Sequence, residues 1–211
     1  MVGGDSFEEE PMIAALPLAD LDLLSRDDLT VDDIADLPED LRFELIEGRL
    51  VLTPHGSPTH GFLSKRVGDA VEANSPEEFV LNIEQAVRIG PRTELVPDVV
   101  LVHEQGAGGS PVQPADVLLV VEVISKSSKV HDREYKLKQY AHAGIPNYWI
   151  VDPLGPRVTF SQFVLGGDGV YLPVVETDEL ITVHRPWEVT LDLPGWTERR
   201  DRIRRAARRD R

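Results

Sequence analysis

Two acidic residues, Asp98 and Glu122, have the type and position that most clearly predict chemistry in this chain. Asp98 follows Pro97 at the start of a short β-branched run, and Glu122 lies inside the apolar run 117–124. A carboxylate among aliphatic side chains is costly to desolvate unless a cation, a proton, a lysine or an arginine pairs with it. On neighbouring strands, both acids could reach one Mg²⁺ ion, which takes one or two carboxylates together with water and phosphate oxygens.

Structural roles for the same two acids are the alternative. Glu122 could form a buried salt bridge with Lys126 or Arg133, because ion pairs also occupy protein interiors. Asp98 could be a turn or strand-start aspartate. The presence of both acids ahead of a lysine-bearing helix favours the functional interpretation. The chain has no cysteine, which excludes disulfides, thiolate zinc sites and cysteine nucleophiles.

The net charge of −15 is concentrated toward the N-terminus. Residues 1–40 carry 13 acids and a single base, Arg26, and this composition predicts a solvated, partly disordered acidic tail. Residues 199–211 carry eight arginines and two aspartates, which predicts a short surface helix or a frayed end that could also contact DNA. We therefore divide the chain into an acidic tail (1–40), a folded domain (41–193) and an Arg-rich tail (194–211).

Length and hydropathy bound the class of protein. A chain of 211 residues with 41 % hydrophobic residues can build one core. No apolar run reaches the ~18 residues that cross a bilayer, and the N-terminus lacks the basic-then-apolar order of a secretory signal. We expect a soluble cytoplasmic protein that does not enter the membrane.

The order of predicted elements indicates an α/β fold with a mixed central sheet. Alternating apolar residues on both sides of Glu47-Gly48 predict a β-hairpin, and helical spacing predicts helices over 58–73 and 131–143. The run 117–124 is apolar on both faces, as in a central strand that is covered twice. The predicted strands after the first hairpin are 79–89, 97–102, 117–124, 147–151, 157–165, 170–176 and 187–193.

Five short blocks of residues, taken in their order along the chain, form a pattern that is more specific than any one of them. They are Phe43 to Gly48, Ser57-Pro58-x-His60, Pro97-Asp98-Val99, Val121 to Ser125, and Asp132 to Asp152. This ordered set resembles the bacterial Uma-two family of restriction endonucleases, in the PD-(D/E)XK nuclease superfamily. The resemblance extends over about residues 41–192. It implies a restriction-endonuclease-like core, a mixed sheet flanked by helices with extra β-hairpins, and a DNA endonuclease that depends on Mg²⁺ or Mn²⁺.

The resemblance also implies which residues form the site. Asp98 matches the family's Pro-Asp acid and Glu122 its second acid, so both are expected to hold the metal. The lysine that the superfamily has two residues after the glutamate is replaced by Ile124 here. The resemblance implies that the next helix supplies this lysine, and there this chain has Lys136. Lys126 is a second candidate, since it shares the strand face of Glu122 if the strand continues.

Two further positions complete the candidate site. Glu44 matches an early glutamate of the family and could add a carboxylate. His60 matches a family position without an assigned role, and a structural histidine is the simpler interpretation. In the implied mechanism the metal polarises the phosphate and lowers the pKa of a bound water. Lys136 orients the water, helps to deprotonate it or stabilises the developing charge.

The charge near the candidate site is compatible with DNA as the partner that this mechanism needs. Residues 123–140 carry a net charge of +3, a basic rim that could hold phosphates. Cutting a duplex needs two cuts, which would suit a homodimer. No base-reading module is apparent in the sequence, so sequence-specific recognition is not predicted. Two other functions remain as alternatives. One is a catalytically inactive nuclease-fold protein that binds nucleic acid or a protein partner. The other is a dimerisation module in which both acids only form salt bridges.

Overall fold

The computed structural model describes residues 18–38 and 41–209. Three stretches lie outside the described residues: residues 1–17 and 39–40 of the predicted acidic tail, and residues 210–211 at the end of the predicted Arg-rich tail. Among the described residues, none of the helices combines the length and the hydropathy needed to span a bilayer.

The described part of the chain contains twelve strands and three α-helices. The strands are β1 (Phe43–Ile46), β2 (Arg49–Leu52), β3 (Phe79–Ile83), β4 (Val87–Gly90), β5 (Thr93–Leu95), β6 (Val99–His103), β7 (Val117–Val123), β8 (Asn147–Asp152), β9 (Thr159–Leu165), β10 (Tyr171–Thr177), β11 (Leu180–Val183) and β12 (Val189–Asp192). The α-helices are α1 (Pro58–Glu72), α2 (Leu137–His142) and α3 (Leu193–Arg209). A π-helical segment, His131–Lys136, leads directly into α2, and the 3₁₀ helices are Leu18–Ser25, Val31–Ile34, Glu104–Gly106 and Pro114–Asp116.

Six strands form the central sheet, in the order β10-β9-β8-β7-β6-β3. Strands β7 and β8 run parallel and the other pairs run antiparallel, so the mixed α/β sheet predicted from the sequence is confirmed. Alternate side chains of β7 enter two different cores. Val121 packs in the core that contains α1 and α3, and Val120 packs in the core that contains α2. Glu122 has the same parity as Val120 and therefore faces the α2 side.

A second sheet, in the order β2-β1-β5-β4, covers the α2 side of the molecule. Its first hairpin turns through Glu47 and Gly48, both with positive φ (52° and 87°), which is the geometry that a two-residue hairpin loop requires. Leu29, Val31 and Ile34 are buried against this hairpin. Part of the segment assigned to an acidic tail therefore packs on the domain.

Several segments differ from the sequence-based expectation. The predicted strand 79–89 is two strands, β3 and β4, in different sheets, because Glu84 has a φ of 54° and interrupts the extended backbone. The short strands β5 and β11 were not predicted, and β11 pairs with β12. Helix α3 extends through most of the Arg-rich tail and packs against α1.

Candidate active site

Strand β7 and the π-helical segment bring Glu122 and Lys136 together in the protein interior. The Nζ of Lys136 lies 3.0 Å from Glu122 Oε1 and 2.7 Å from Oε1 of Glu44, on β1. The three side chains are only 4–7 % exposed. The Glu44 oxygen also accepts a hydrogen bond from the backbone N–H of Val96 at 3.0 Å. One ammonium group thus joins carboxylates from both sheets.

Residues four positions before and after Lys136 complete this buried group. The hydroxyl of Tyr140 donates to Glu122 Oε1 at 2.7 Å. Asp132 Oδ1 lies 3.9 Å from the Lys136 ammonium and has no hydrogen-bond partner among the described residues. Neither residue was predicted from the sequence to take part in the site, although their spacing of four around Lys136 was the available signal. A π-helical segment is rare, and such segments often occur at functional sites.

The buried group contains more acid than its lysine can neutralise. Burial raises the pKa of Glu122 well above its ordinary value; Lys136 opposes this shift, and Asp132, Asp98 and Glu44 add to it. Burial likewise raises the pKa of Asp132 to about 6, against the effect of Lys136. Burial alone would lower the pKa of Lys136, but the carboxylates around it outweigh burial and raise that pKa. Such a site favours the uptake of protons or of a cation.

Asp98 lies one residue before β6, at the end of the sheet where Glu122 lies. Continuing the β6–β7 register by one residue puts Asp98 opposite Glu122. Its Oδ2 accepts a hydrogen bond from the N–H of Val123 at 2.6 Å and is 3.2 Å from Nε2 of His60. Burial alone would lower the pKa of His60, but the Asp98 carboxylate outweighs it and raises that pKa.

A cleft of about 530 Å³ opens beside the Asp98–His60 pair, with His60 in its wall. Two basic side chains, Arg42 and Lys65, also line the cleft. Arg42 is paired with Glu84 and Lys65 with Asp69, so the walls carry both signs of charge. The cleft gives access to the site from the side of His60.

Lys126 does not join the acids. Strand β7 ends at Val123, so the alternation that would bring Lys126 onto the face of Glu122 stops, and its side chain is exposed in a turn. Arg133 pairs with Asp152 at 3.1 Å and not with Glu122. Of the basic residues considered from the sequence, the structure places Lys136 alone beside Glu122, within the described residues.

The carboxylates present could hold a magnesium ion only if water supplied most of its ligands. Within residues 18–38 and 41–209, no group of three or more His, Asp or Glu side chains is arranged to hold a metal. Asp98 and Glu122 from adjacent strands supply two carboxylates, and the buried Asp132 Oδ1 still lacks a hydrogen bond. Oxygen donors of this kind suit Mg²⁺ or Mn²⁺. The excess of buried negative charge gives a physical reason for a cation to bind there.

Comparison with known proteins identifies relatives of this chain. A family described as Uma2, "Putative restriction endonuclease", matches residues 31–197. The crystal structure of "a putative nuclease belonging to DUF820" from Anabaena variabilis superposes with a TM-score of 0.61, over 80 % of this chain and 99 % of that chain. The two sequences are 16 % identical, so this likeness is one of fold. No curated protein matches the chain.

Proposed function

Because the chain belongs to the Uma2 ("putative restriction endonuclease") family, we propose that it is a divalent-metal-dependent endonuclease that hydrolyses phosphodiester bonds in DNA. The observation that carries this proposal is the buried group in which Lys136 joins Glu122 to Glu44, close to the Asp98–His60 pair. An acid-rich site with one fixed ammonium has the charges that phosphoryl transfer needs.

Asp98 and Glu122 are the proposed ligands of Mg²⁺ or Mn²⁺, which, when bound, polarises a phosphate and lowers the pKa of a water molecule. The raised pKa of Lys136 keeps its ammonium charged, which favours an electrostatic role over that of a general base. Held by Glu44 and Glu122, this ammonium would stabilise the negative charge that develops on the phosphoryl oxygens.

Other side chains would position these groups. The Tyr140 hydroxyl fixes one oxygen of Glu122 and leaves the other oxygen for a cation. His60 and the Val123 N–H bind the same oxygen of Asp98, which leaves Asp98 Oδ1 for the same purpose. Such support restricts the carboxylates to one orientation before the substrate arrives.

A second candidate function is a catalytically inactive nuclease-fold protein that binds nucleic acid or a protein partner. One observation favours it: Lys136 already engages one oxygen of both Glu44 and Glu122, and no three-ligand group is formed by the described residues. An inactive protein would keep the buried group as a structural ion pair.

Cleavage of plasmid DNA in Mg²⁺, Mn²⁺ or EDTA tests the proposed function. We expect Asp98→Asn and Glu122→Gln to reduce metal-dependent cleavage about 100-fold or more, since the metal contributes several kcal/mol to the rate. Glu104→Gln, which changes an exposed acid in the same way, should cleave like the wild type. Undiminished cleavage by both site variants would refute the assignment. Calorimetric binding of Mg²⁺ without cleavage of duplex, single-stranded or branched DNA would support the inactive alternative.

A further inference from the structure

A second concavity, the α1–α3 groove, lies between helices α1 and α3 and has a volume of about 600 Å³. Three arginines line it: Arg66 from α1, and Arg199 and Arg202 from α3. Phe62 and Trp196 form its apolar part. The proposed catalytic side chains do not line this groove, so the proposed mechanism leaves it unexplained.

The arginines of α3 serve two purposes. Arg200 is 1 % exposed, and its guanidinium donates hydrogen bonds to three main-chain carbonyls in the segment 153–156. This buried anchor ties α3 to the domain. Arg199 and Arg202 are exposed, and no carboxylate in the described part of the chain pairs with either. The anchored helix therefore presents two available guanidinium groups in a fixed position.

The arginine from α1 is also held in place. The guanidinium of Arg66 lies 5.6 Å from the ring centroid of Phe62 and 3.7 Å from Asp69 Oδ2. Asp69 is engaged more closely by Lys65, at 2.6 and 2.9 Å. Asp192, the acid in the groove lining, caps α3 by accepting from the Gly195 N–H. Its single charge offsets only part of the three positive charges.

A chain with a net charge of −15 that gathers three arginines in one groove concentrates positive potential there. Guanidinium groups bind phosphates through paired hydrogen bonds. Arg66 is six residues beyond His60 on α1, a separation of about 9 Å along the helix axis, or roughly three base-pair steps of duplex DNA. Six residues also turn the helix by about 600°, so Arg66 and His60 project from different sides of α1, and a nucleic acid that contacts both must pass around the start of this helix.

We propose that the α1–α3 groove binds the phosphodiester backbone of a nucleic acid and holds it relative to the active site. This inference rests on the proposed function for the identity of the substrate. The contacts are to phosphates, so the groove contributes affinity and orientation without reading the base sequence.

Fluorescence anisotropy with a labelled DNA duplex, in EDTA and over a range of salt concentrations, tests this inference. The double variant Arg199→Gln/Arg202→Gln should bind at least about tenfold more weakly at moderate salt. The plot of the logarithm of its binding constant against the logarithm of the salt concentration should have a slope that is smaller in magnitude by about two. The control Arg26→Gln/Arg49→Gln removes two arginines that do not line the groove, and it should bind like the wild type. Thermal melts of both variants establish that the fold is kept.

The outcomes separate this inference from the proposed function, because EDTA prevents metal-dependent cleavage. Weaker binding by the groove variant supports the inference even if the wild type never cleaves DNA in Mg²⁺, a result that would refute only the proposed activity. Equal binding by the wild type and the groove variant overturns the inference. It is also overturned if the wild type binds neither a DNA duplex nor a single-stranded RNA. Binding to anionic phospholipid vesicles is measured in parallel. If the groove variant loses binding to the vesicles but keeps binding to nucleic acid, the groove binds a lipid surface and the inference is overturned.

Discussion

Removal of the buried ammonium is the perturbation that most directly tests the electrostatics of the site. Lys136→Met keeps a long, flexible side chain but takes away the positive charge that lies between Glu44 and Glu122. Breaking a buried ion pair by deleting one partner costs about 3–5 kcal/mol, because the charge left behind is uncompensated. We expect the free energy of unfolding to fall by about this amount near pH 8. A domain in the middle or upper part of the usual range of about 5–15 kcal/mol can lose that and still fold.

The loss should shrink as the pH falls. In the folded protein the pKa of Asp132 is about 6, against an ordinary value of 3.8, and the pKa of Glu122 is also raised. Loss of Lys136 raises both further, since Lys136 opposes each shift. An acid with a raised folded-state pKa binds its proton more tightly when folded, so stability falls as the pH rises from the unfolded pKa to the folded one. Lys136→Met should therefore be closer to the wild type near pH 5 than near pH 8.

Urea denaturation followed by tryptophan fluorescence, near pH 5 and near pH 8, measures both effects. Lys138→Met is the matched control, because Lys138 is exposed on the adjoining helix α2 and its loss should change stability little. A loss below about 1 kcal/mol at pH 8 would contradict the buried-charge reasoning. A loss of equal size at both pH values would show that packing, not charge, accounts for the effect.

Two further predictions concern groups away from the site. Burial raises the pKa of Glu94 to about 7 from 4.5, against the effect of Arg88, so wild-type stability should fall as the pH rises across that interval. Glu94→Gln should then stabilise the protein by about 2 kcal/mol above pH 7, after allowance for solvent screening, and should change its stability little below pH 4.5. Thermal melts of the variant and the wild type at both pH values measure this effect. A stability difference between the two proteins that is the same at both pH values would contradict the prediction. Arg200→Met removes the side-chain donor of the Gly155 and Pro156 carbonyls, whereas the Pro153 carbonyl keeps its hydrogen bond from Arg204. The substitution should cost about 3 kcal/mol in urea denaturation, whereas the exposed Arg205→Met should cost little. Equal stabilities of these two arginine variants would mean that the buried anchor is not needed.

Local patterns in the sequence were sufficient for the elements whose signals are local. The hairpin at Glu47-Gly48 was predicted because its turn chemistry lies within two residues. Helix α1 was predicted because its apolar residues recur at helical spacing, and in the structure Ser57 caps its first turn. The predicted strand 79–89 was wrong because its alternation continues through the kink at Glu84, where the backbone leaves one sheet for the other.

The candidate site, too, was predicted from the sequence only in part. From the sequence alone, Glu122 in an apolar strand had to be paired, and this requirement follows from the cost of desolvating a charge. Its partner among Lys126, Arg133 and Lys136 was decided only by the tertiary structure. Strand β7 ends before Lys126, and the π-helical segment brings Lys136 back over the strand. The periodicity of a strand or helix is a local property, whereas the distance between two charges on different elements depends on how those elements pack.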